Sequence, residues 1–349
     1  MTTPHPATPT PAGAPLLEVR HLVTRFPVRG GILNRVVGHV HAVSGVSFSV
    51  PRGEVLGVVG ESGCGKSTLG KTILRLVEPT SGQVLFDGQD LTTLGHGAMM
   101  PVRRRMQMIF QDPYSSLNPR LTIRRMLREV VRFHDIVPTE QSDDYIIDLI
   151  TRVGLRKDAA DKFPHEFSGG QRQRIGIARA LAVKPELLIA DEPVSALDVS
   201  IQAQVLNLLM DLQKDLHLTV LFISHDLKVV EHFCDRVLVM YLGKVVEELP
   251  CDNLLDRARH PYTRALLAAN PIDDPDERRP ISVLKGDVPS PLRPPPGCPF
   301  IGRCPVAVDR CRNEMPPLVA APTVNTLTAR PATQSVACWV ETPDARPNA

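Results

Sequence analysis

Residues 60–67 read Gly-Glu-Ser-Gly-Cys-Gly-Lys-Ser and match the pattern Gly-x-x-x-x-Gly-Lys-[Ser/Thr]. Glycines in this pattern let backbone N–H groups turn inward around phosphates. Lys66 would neutralise the charge of the β- and γ-phosphates, and Ser67 would ligate Mg²⁺. A glycine turn with a surface lysine is the alternative, but a strand pattern before the loop and a helical pattern after it favour phosphate binding. The predicted nucleotide contacts are Gly60, Ser62, Gly63, Cys64, Gly65, Lys66, Ser67 and Thr68.

Two adjacent carboxylates, Asp191 and Glu192, follow the apolar run of residues 187–190. Ligands of open α/β sheets bind at the carboxyl ends of strands, where we expect this pair to lie. Asp191 would hold Mg²⁺, directly or through water, and Glu192 would orient and deprotonate an attacking water. Acidic pairs after strands also serve as helix caps. The phosphate-binding pattern upstream favours the catalytic interpretation.

A second anion-receptive pattern consists of Ser168, Gly169, Gly170 and Gln171, which lead into a helical stretch. Glycines at a helix N-terminus present free N–H groups to an anion. One nucleotide does not need two such surfaces from one chain. We therefore predict a head-to-tail dimer, in which the phosphate loop of one subunit and the Ser168 segment of the other enclose the same nucleotide.

The elements that would position these residues begin with a β layer. Residues 16–59 read as short alternating strands, which predicts an antiparallel sheet that leads into the buried strand 55–59. A helical pattern follows the phosphate loop and ends before Pro79. Its predicted buried face consists of Leu69, Ile73, Leu76 and Val77.

Further along, the sequence alternates between helix and strand patterns. Asp87-Gly88 predicts a hairpin, and residues 112–182 are mostly helical in pattern. Two apolar strand patterns, 187–190 and 219–224, flank the helical stretch 199–216. This alternation is typical of a parallel sheet with crossover helices.

Composition excludes several classes of protein. The 349 residues carry 40 basic and 38 acidic side chains, so no global field draws the chain to nucleic acid. The basic run of residues 103–105, three arginines, is interpreted as a solvated helix face. No apolar run approaches the roughly 18 to 20 residues of a membrane-spanning helix. Residues 1–15 are rich in proline and lack a secretory pattern, so we expect a disordered leader there.

A change of composition after residue 270 predicts a separate tail. Residues 271–349 are rich in proline and hold four of the seven cysteines, Cys298, Cys304, Cys311 and Cys338. Because no export signal is found, we expect these cysteines to be reduced. The expected organisation is a leader (1–15), a nucleotide-binding domain (16–270) with a helical subdomain at about 112–182, and this tail.

Taken together, these motifs resemble an ATP-binding cassette (ABC) protein over residues 16–249. The resemblance implies an α/β fold: a P-loop NTPase cassette with a RecA-like parallel-sheet core, an antiparallel β subdomain and a helical subdomain, here followed by a small Cys-rich C-terminal extension. It also implies ATP hydrolysis with Mg²⁺ as cofactor. The implied catalytic residues are Lys66, Gln111, Glu192 and His225.

Further roles follow from the same resemblance. Gln111 lies in a segment similar to the Q-loop, so it would contact Mg²⁺ and the attacking water while sensing the transporter. Asp198 closes a segment similar to the D-loop of the dimer interface. His225 resembles the switch histidine that contacts the γ-phosphate. Phe26 resembles the aromatic residue that stacks on adenine, with a core position as the alternative for a Phe in an alternating strand.

Residues 111–119, 191–202 and 260–263 are similar to the ATPase subunits of dipeptide and oligopeptide importers. The second of the two paralogous ATPases in those systems is the nearer match. Its C-terminal extension resembles residues 297–305 and 336–338. In that group such a tail binds a [4Fe–4S] cluster in some members. Here the resemblance favours a cluster on the four tail cysteines, a tail without metal is the next alternative, and zinc is the least favoured.

The resemblance implies several partners. They are a paralogous ATPase subunit in a heterodimer, two transmembrane permeases whose short helices dock near residues 111–119, and, indirectly, a periplasmic or extracellular solute-binding protein. The chain would lie peripherally on the cytoplasmic face of the inner membrane. Importers of nickel, glutathione or other small solutes are the alternative, followed by an ABC ATPase without a transport role.

Overall fold

The computed structural model describes residues 14–31, 34–112, 116–269, 286–321 and 334–342. Its strands are β1 (Leu17–Gly30), β2 (Arg35–Val50), β3 (Val55–Val59), β4 (Ser81–Phe86), β5 (Gln89–Asp90), β6 (Met106–Ile109), β7 (Leu187–Asp191), β8 (Thr219–Ser224), β9 (Arg236–Tyr241), β10 (Lys244–Pro250), β11 (Val319–Ala320) and β12 (Ser335–Val336). Its helices are α1 (Lys66–Ile73), α2 (His96–Arg105), α3 (Ile123–Phe133), α4 (Ser142–Arg152), α5 (Gly169–Leu181), α6 (Val199–Leu216), α7 (Leu227–Phe233), α8 (Leu254–Arg257), α9 (Pro261–Ala269) and α10 (Arg310–Asn313). No helix within these ranges is long and apolar enough to cross a membrane.

The larger sheet has the strand order β11-β12-β10-β9-β3-β8-β7-β6. Neighbours from β9 to β6 are parallel, whereas β10, β12 and β11 join in antiparallel fashion. Every residue of β3, β7 and β8 is buried, which explains their near-continuous apolar sequences. The carboxyl ends of β3, β8, β7 and β6 therefore meet at one edge, where ligands of such sheets bind.

A smaller antiparallel sheet has the order β2-β1-β4-β5. One hydrophobic cluster joins this sheet to α1 and to one face of the larger sheet, with Phe86, Leu69 and Val58 among its members. A second cluster lies on the opposite face, where α3 to α6 pack. This mixed architecture is the predicted cassette fold. The larger sheet lies between the smaller sheet with α1 on one face and helices α3 to α6 on the other.

Several elements predicted from the sequence are confirmed. The predicted strands 55–59, 187–190 and 219–224 are β3, β7 and β8, and the predicted helix 199–216 is α6. Asp87 and Gly88 both have positive φ, 53° and 78°, and form the hairpin turn between β4 and β5. The antiparallel layer is also confirmed, but its first two strands are long, with 14 and 16 residues.

Helix α1 is shorter than its apolar pattern predicts. It ends at Ile73 because Arg75 adopts a positive φ of 49°. The N–H of Arg75 donates to the carbonyl of Thr72 at 2.9 Å, and that of Leu76 donates to Lys71 at 2.9 Å. These two bonds form a Schellman cap. The cap turns Leu76 outward, where it is 51% exposed, so the prediction that Leu76 lies on the buried face is wrong.

The interpretation of residues 103–105 as a solvated helix face is also wrong. Arg105 forms ion pairs with Asp87 at 2.6 Å and with Glu186. Arg103 donates to the backbone carbonyl of Arg75 at 3.1 Å. These contacts fasten the end of α2 to residues far away in the sequence, and helical periodicity carries no information about such partners.

The C-terminal extension contributes β11 and β12 to the larger sheet through the pairing of β12 with β10. Phe300 and Trp339 of the extension are buried in the second hydrophobic cluster. The predicted boundary near residue 271 lies outside the described residues, as do residues 1–13 of the predicted leader. The predicted domain limits therefore stay predictions.

Candidate functional site

The phosphate-binding pattern forms the loop between β3 and α1. Gly60 and Gly65 have φ values of 153° and 105°, which L side chains rarely adopt. A Cβ at Gly60 would lie 2.2 Å from the carbonyl oxygen of Met240, and one at Gly65 would lie 2.0 Å from that of Ala42. Only glycine fits these two positions, because the neighbouring backbone leaves no space for a side chain.

Lys66, the first residue of α1, points back into the loop. Its side chain is only 4% exposed, and Nζ donates to the carbonyls of Gly60 at 2.7 Å and Glu61 at 3.2 Å. Buried ammonium groups are held in place only when they are paired or hydrogen-bonded. The loop thus carries a fixed positive charge beside the N-terminus of a helix, an arrangement that suits an anion.

Ser67 and Asp191 meet at the edge of the sheet. The hydroxyl of Ser67 donates to Oδ1 of Asp191 at 2.7 Å. Burial raises the pKa of Asp191, and the hydrogen bond from Ser67 opposes that effect. A hydroxyl and a carboxylate side by side are oxygen ligands of the kind that Mg²⁺ prefers, so these two residues fit a magnesium site.

Glu192 is the residue on which the predicted catalytic side chains converge. Its Oε2 accepts a hydrogen bond from Nε2 of Gln111 at 3.0 Å and lies 3.3 Å from Nδ1 of His225. Its Oε1 lies 3.9 Å from Nζ of Lys66. A positive φ of 45° aims Glu192 into the site, and its N–H donates to the carbonyl of Ile223 at 3.0 Å.

A cavity of about 50 Å³ adjoins this carboxylate. A polar cavity of this size has room for a water molecule. Gln111 reaches the same place, since its Nε2 lies 3.4 Å from the hydroxyl of Ser195. The lining residues include Glu192, Ser195, Gln202, Ser224, His225 and Asp226. The structure thus brings a carboxylate, its hydrogen-bonding partners and a polar space together.

The Ser168 segment forms the start of α5. Oγ of Ser168 accepts from the N–H of Gln171 at 3.4 Å, and Oε1 of Gln171 accepts from the N–H of Ser168 at 3.1 Å. This is a capping box, so the helix start is well defined. Gly170 packs against Ile201 of α6, and the exposed Asp198 immediately precedes α6. The segment and the predicted D-loop therefore share one surface.

The remaining predicted nucleotide contacts lie at or near the loop. Ser62 and Gly63 are exposed at its tip, and Thr68 is half-buried in α1. Cys64 is buried, and burial raises the pKa of its thiol, so its side chain packs as a neutral group. Phe26 lies on β1 opposite Val40 with its ring exposed. A core position for Phe26 is thereby excluded.

Sequence reasoning missed three residues around the loop. The N–H of Glu61 donates to the hydroxyl of Tyr262 at 2.8 Å, and its carboxylate pairs with Arg303 at 2.7 Å. Glu61 occupies a position of the pattern at which any residue is allowed. The motifs at residues 260–263 and 297–305 included Tyr262 and Arg303 only by resemblance, and neither residue was assigned a contact with the loop.

The four tail cysteines are neighbours in the extension. Burial, together with the charges of the other three sulfurs, raises the pKa of Cys298 to about 11. Burial also raises the pKa of Cys304 and Cys338. Among the described residues, no three His, Cys, Asp or Glu side chains are placed to hold a metal ion. The described residues therefore give no support to an iron–sulfur cluster or to zinc.

Two family models match the sequence. The model described as ABC transporter matches residues 43–195, a range that includes the phosphate loop, Gln111, the Ser168 segment and Glu192. The model described as oligopeptide/dipeptide transporter, C-terminal region, matches residues 246–311. The second match covers both Tyr262 and Arg303.

Full-length relatives and solved structures agree with these matches. The probable peptide ABC transporter ATP-binding protein y4tS of Sinorhizobium fredii is 53% identical over 330 residues, 95% of this chain and 91% of that protein. The oligopeptide transport ATP-binding protein AppF of Bacillus subtilis is 54% identical over 304 residues, 86% of this chain and 92% of that protein. The dimeric post-hydrolysis structure of the ATP-binding cassette MJ0796 with ADP and Pi has a TM-score of 0.59 at 27% identity, over 67% of this chain and 98% of that one. With this identity over almost its whole length, the chain belongs to the ABC transporter family, among the ATP-hydrolysing ATP-binding subunits of the oligopeptide/dipeptide group.

Proposed function

We propose that this chain hydrolyses ATP to drive the import of dipeptides or oligopeptides. The convergence of Lys66, Gln111 and His225 on Glu192 is the observation that carries the proposed hydrolysis. The transported substrate is inferred from relatives that are named for peptide and oligopeptide transport. These names favour peptides over nickel, glutathione or other small solutes.

The phosphate loop binds the triphosphate in this proposal. Backbone N–H groups of residues 60–68 face the phosphates, and Lys66 balances their charge. Ser67, Asp191 and Gln111 hold Mg²⁺, which neutralises phosphate charge when it is bound. Phe26 stacks on adenine through its exposed ring.

Glu192 acts as the general base. Its carboxylate accepts a proton from the water that attacks the γ-phosphate. Gln111 and His225 orient the carboxylate and the water, because both reach Oε2 of Glu192. Gln111, Glu192 and His225 lie close together because they come just after the carboxyl ends of the neighbouring parallel strands β6, β7 and β8.

A second ATPase subunit completes the site. Ser168, Gly169, Gly170 and Gln171 of that subunit enclose the phosphates bound by this chain's loop. Asp198 lies at the same interface, next to Val199, whose 82% exposure is unusual for an apolar side chain. The dimeric state of MJ0796 supports this arrangement, and the importer resemblance makes the partner a paralogous ATPase.

The membrane subunits are moved by the two ATPase subunits as these bind and hydrolyse ATP. The chain lies peripherally on the cytoplasmic face of the membrane, and two permeases dock near residues 111–119. A solute-binding protein delivers peptide to the permeases from the other side.

The nucleotide-binding domain spans residues 16–270, with its helical subdomain at about 112–182 and the extension at 271–349.

Reconstitution tests this function. The chain, its paralogue, both permeases and the binding protein are placed in vesicles, and uptake of a labelled oligopeptide is measured with and without ATP. We expect uptake that requires ATP and is lost in a Lys66→Met variant. ATP hydrolysis without peptide uptake would leave the ATPase but remove the peptide assignment.

An iron–sulfur cluster on Cys298, Cys304, Cys311 and Cys338 stays a prediction that only the resemblance supports, since no group of side chains among the described residues is placed to hold a metal ion. No step of the proposed hydrolysis depends on it. Iron, zinc and acid-labile sulfide are measured in the full chain purified without oxygen. Seven free thiols, the full cysteine count of the chain, with neither metal nor sulfide would end the prediction.

A further inference from the structure

The C-terminal extension reaches the phosphate loop through one ion pair. Nη1 and Nη2 of Arg303 donate to the two carboxylate oxygens of Glu61, at 2.7 and 2.8 Å. The side chain of Arg303 is only 8% exposed. Bidentate pairing of a planar guanidinium with a carboxylate fixes direction as well as distance. The contact therefore holds Glu61 in one orientation.

Glu61 is held from two further directions. Its N–H donates to the hydroxyl of Tyr262 at 2.8 Å. Its carbonyl accepts from Nζ of Lys66 at 3.2 Å. Glu61, the ion-pair partner of Arg303, is thus hydrogen-bonded directly to Lys66, the lysine proposed to bind phosphate.

An aromatic cluster surrounds the guanidinium. The rings of Tyr241 and Phe300 each lie 5.9 Å from the carbon at its centre, and the hydroxyl of Tyr241 lies 3.4 Å from Nη1. The rings of Tyr262 and Phe300 are 5.4 Å apart. Such packing shields the guanidinium of Arg303 from water, although the carboxylate of Glu61 stays partly exposed, and an ion pair with less water is screened less.

The loop needs support of this kind because of its own sequence. Gly60, Gly63 and Gly65 have positive φ, and glycine loses more conformational freedom on ordering than any other residue. A loop that is already fixed pays less ordering entropy when a ligand binds. We infer that Arg303 is a positioning residue for ATP binding, which holds the phosphate loop in its receiving conformation through Glu61. This inference rests on the proposed role of the loop.

Nucleotide affinity of the full chain tests the inference. A fluorescent ATP analogue with Mg²⁺ is titrated into the parent, Arg303→Met, Arg303→Lys and Glu61→Gln. We expect Kd to rise about tenfold for Arg303→Met and Glu61→Gln, the effect of losing one charge-assisted contact. Arg303→Lys keeps the charge without the fork, so its Kd should fall between those of the parent and Arg303→Met.

Arg310→Met is the matched control, because Arg310 packs on Trp339 in the same extension and pairs with Glu314. It should bind the analogue like the parent. Glu61→Gln keeps the shape of a partly exposed side chain, so it tests the pair even where Arg303→Met lowers folding yield. Parent-like affinity of Glu61→Gln would overturn the inference.

ATPase kinetics of the assembled transporter separate positioning from general damage. KM for ATP should rise about tenfold in Arg303→Met, with kcat changed by less than about twofold. In a Glu61→Gln background, Arg303→Met should add less than about twofold to Kd, because the pair is already broken. A further tenfold rise in Kd would show that Arg303 acts through a contact other than the one with Glu61. A parent chain that binds no nucleotide would refute the proposed function itself, whereas a parent that binds and equal variants would refute only this inference.

Discussion

The hydroxyl of Ser67 donates a 2.7 Å hydrogen bond to Oδ1 of Asp191, which lies 124 positions away in the sequence. The bond ties the first turn of α1 to the end of β7. Asp191 is buried there, and burial raises its pKa against the opposing effect of the hydrogen bond from Ser67. Two oxygen ligands are therefore assembled before a cation arrives, which lowers the cost of ordering them on binding.

Replacing Ser67 by alanine removes one of these oxygens. We expect the Mg²⁺ concentration for half-maximal ATPase activity to rise by at least about tenfold, since even outer-shell partners are worth roughly 10- to 100-fold in metal affinity. The measurement is a Mg²⁺ titration of ATPase activity in the assembled complex. Ser81→Ala, at the exposed start of β4, serves as the control. An unchanged Mg²⁺ requirement would exclude Ser67 as a ligand.

Glu192→Gln keeps the shape of the side chain but removes the proposed base. Turnover of the assembled ATPase should fall at least about 100-fold, as expected for loss of general base catalysis. Binding of a fluorescent ATP analogue to the full chain should persist, because the phosphate loop is untouched. Glu140→Gln, at an exposed position, is the control. Near-normal turnover would show that another group activates the water.

Two glycines of α5 should respond in opposite ways to replacement by alanine, one losing stability and the other gaining it. A Cβ at Gly170 would lie 2.4 Å from Cγ2 of Ile201, whereas one at Gly176 would meet nothing within 4 Å. Gly170→Ala should lower the free energy of unfolding by about 1 to 3 kcal/mol through overpacking. Gly176→Ala should raise it by about 0.5 to 1 kcal/mol, because glycine is disfavoured in helix interiors. Urea unfolding of both variants measures this contrast, and equal signs would contradict the packing argument.

Burial lowers the pKa of His260 from 6.5 to about 3. The folded chain therefore keeps this ring neutral at about pH 5, whereas the unfolded chain takes up a proton below about pH 6.5. The stability that depends on His260 is fully present above that pH and is lost as the pH falls toward 3. Between about pH 7.5 and pH 5 the parent should lose about 2 kcal/mol more than His260→Gln.

Unfolding curves of both proteins at the two pH values measure the difference. Buried Glu247, whose pKa is raised by burial, titrates with the opposite sign in both proteins. The comparison between parent and variant therefore isolates His260. Parallel losses of stability in acid would rule out a neutral buried ring.

Local patterns predicted the elements whose structure depends on near neighbours. The apolar runs of β3 and β8 and the Asp87-Gly88 turn could be located because burial on both faces and a positive φ each leave a direct mark on residue type. The end of α1 could not, because Arg75 carries no such mark and its φ of 49° is fixed by a cap. Arg105 could not be assigned either, since its partner Glu186 lies 81 positions away.

The sequence by itself determined the chemistry of this protein. The phosphate loop, Asp191 with Glu192, and the Ser168 segment each consist of residue types that few other functions require in that order, so the family could be predicted from them. Only the tertiary structure decided which side chains contact the carboxylate of Glu192 and which residue of the extension holds the phosphate loop. The contacts of Glu192 with Gln111 and His225 depend on strand order in the larger sheet, and the grip of Arg303 on Glu61 depends on how the extension packs. Long-range contacts of this kind leave no spacing rule in the chain, because folding and not sequence distance brings the partners together.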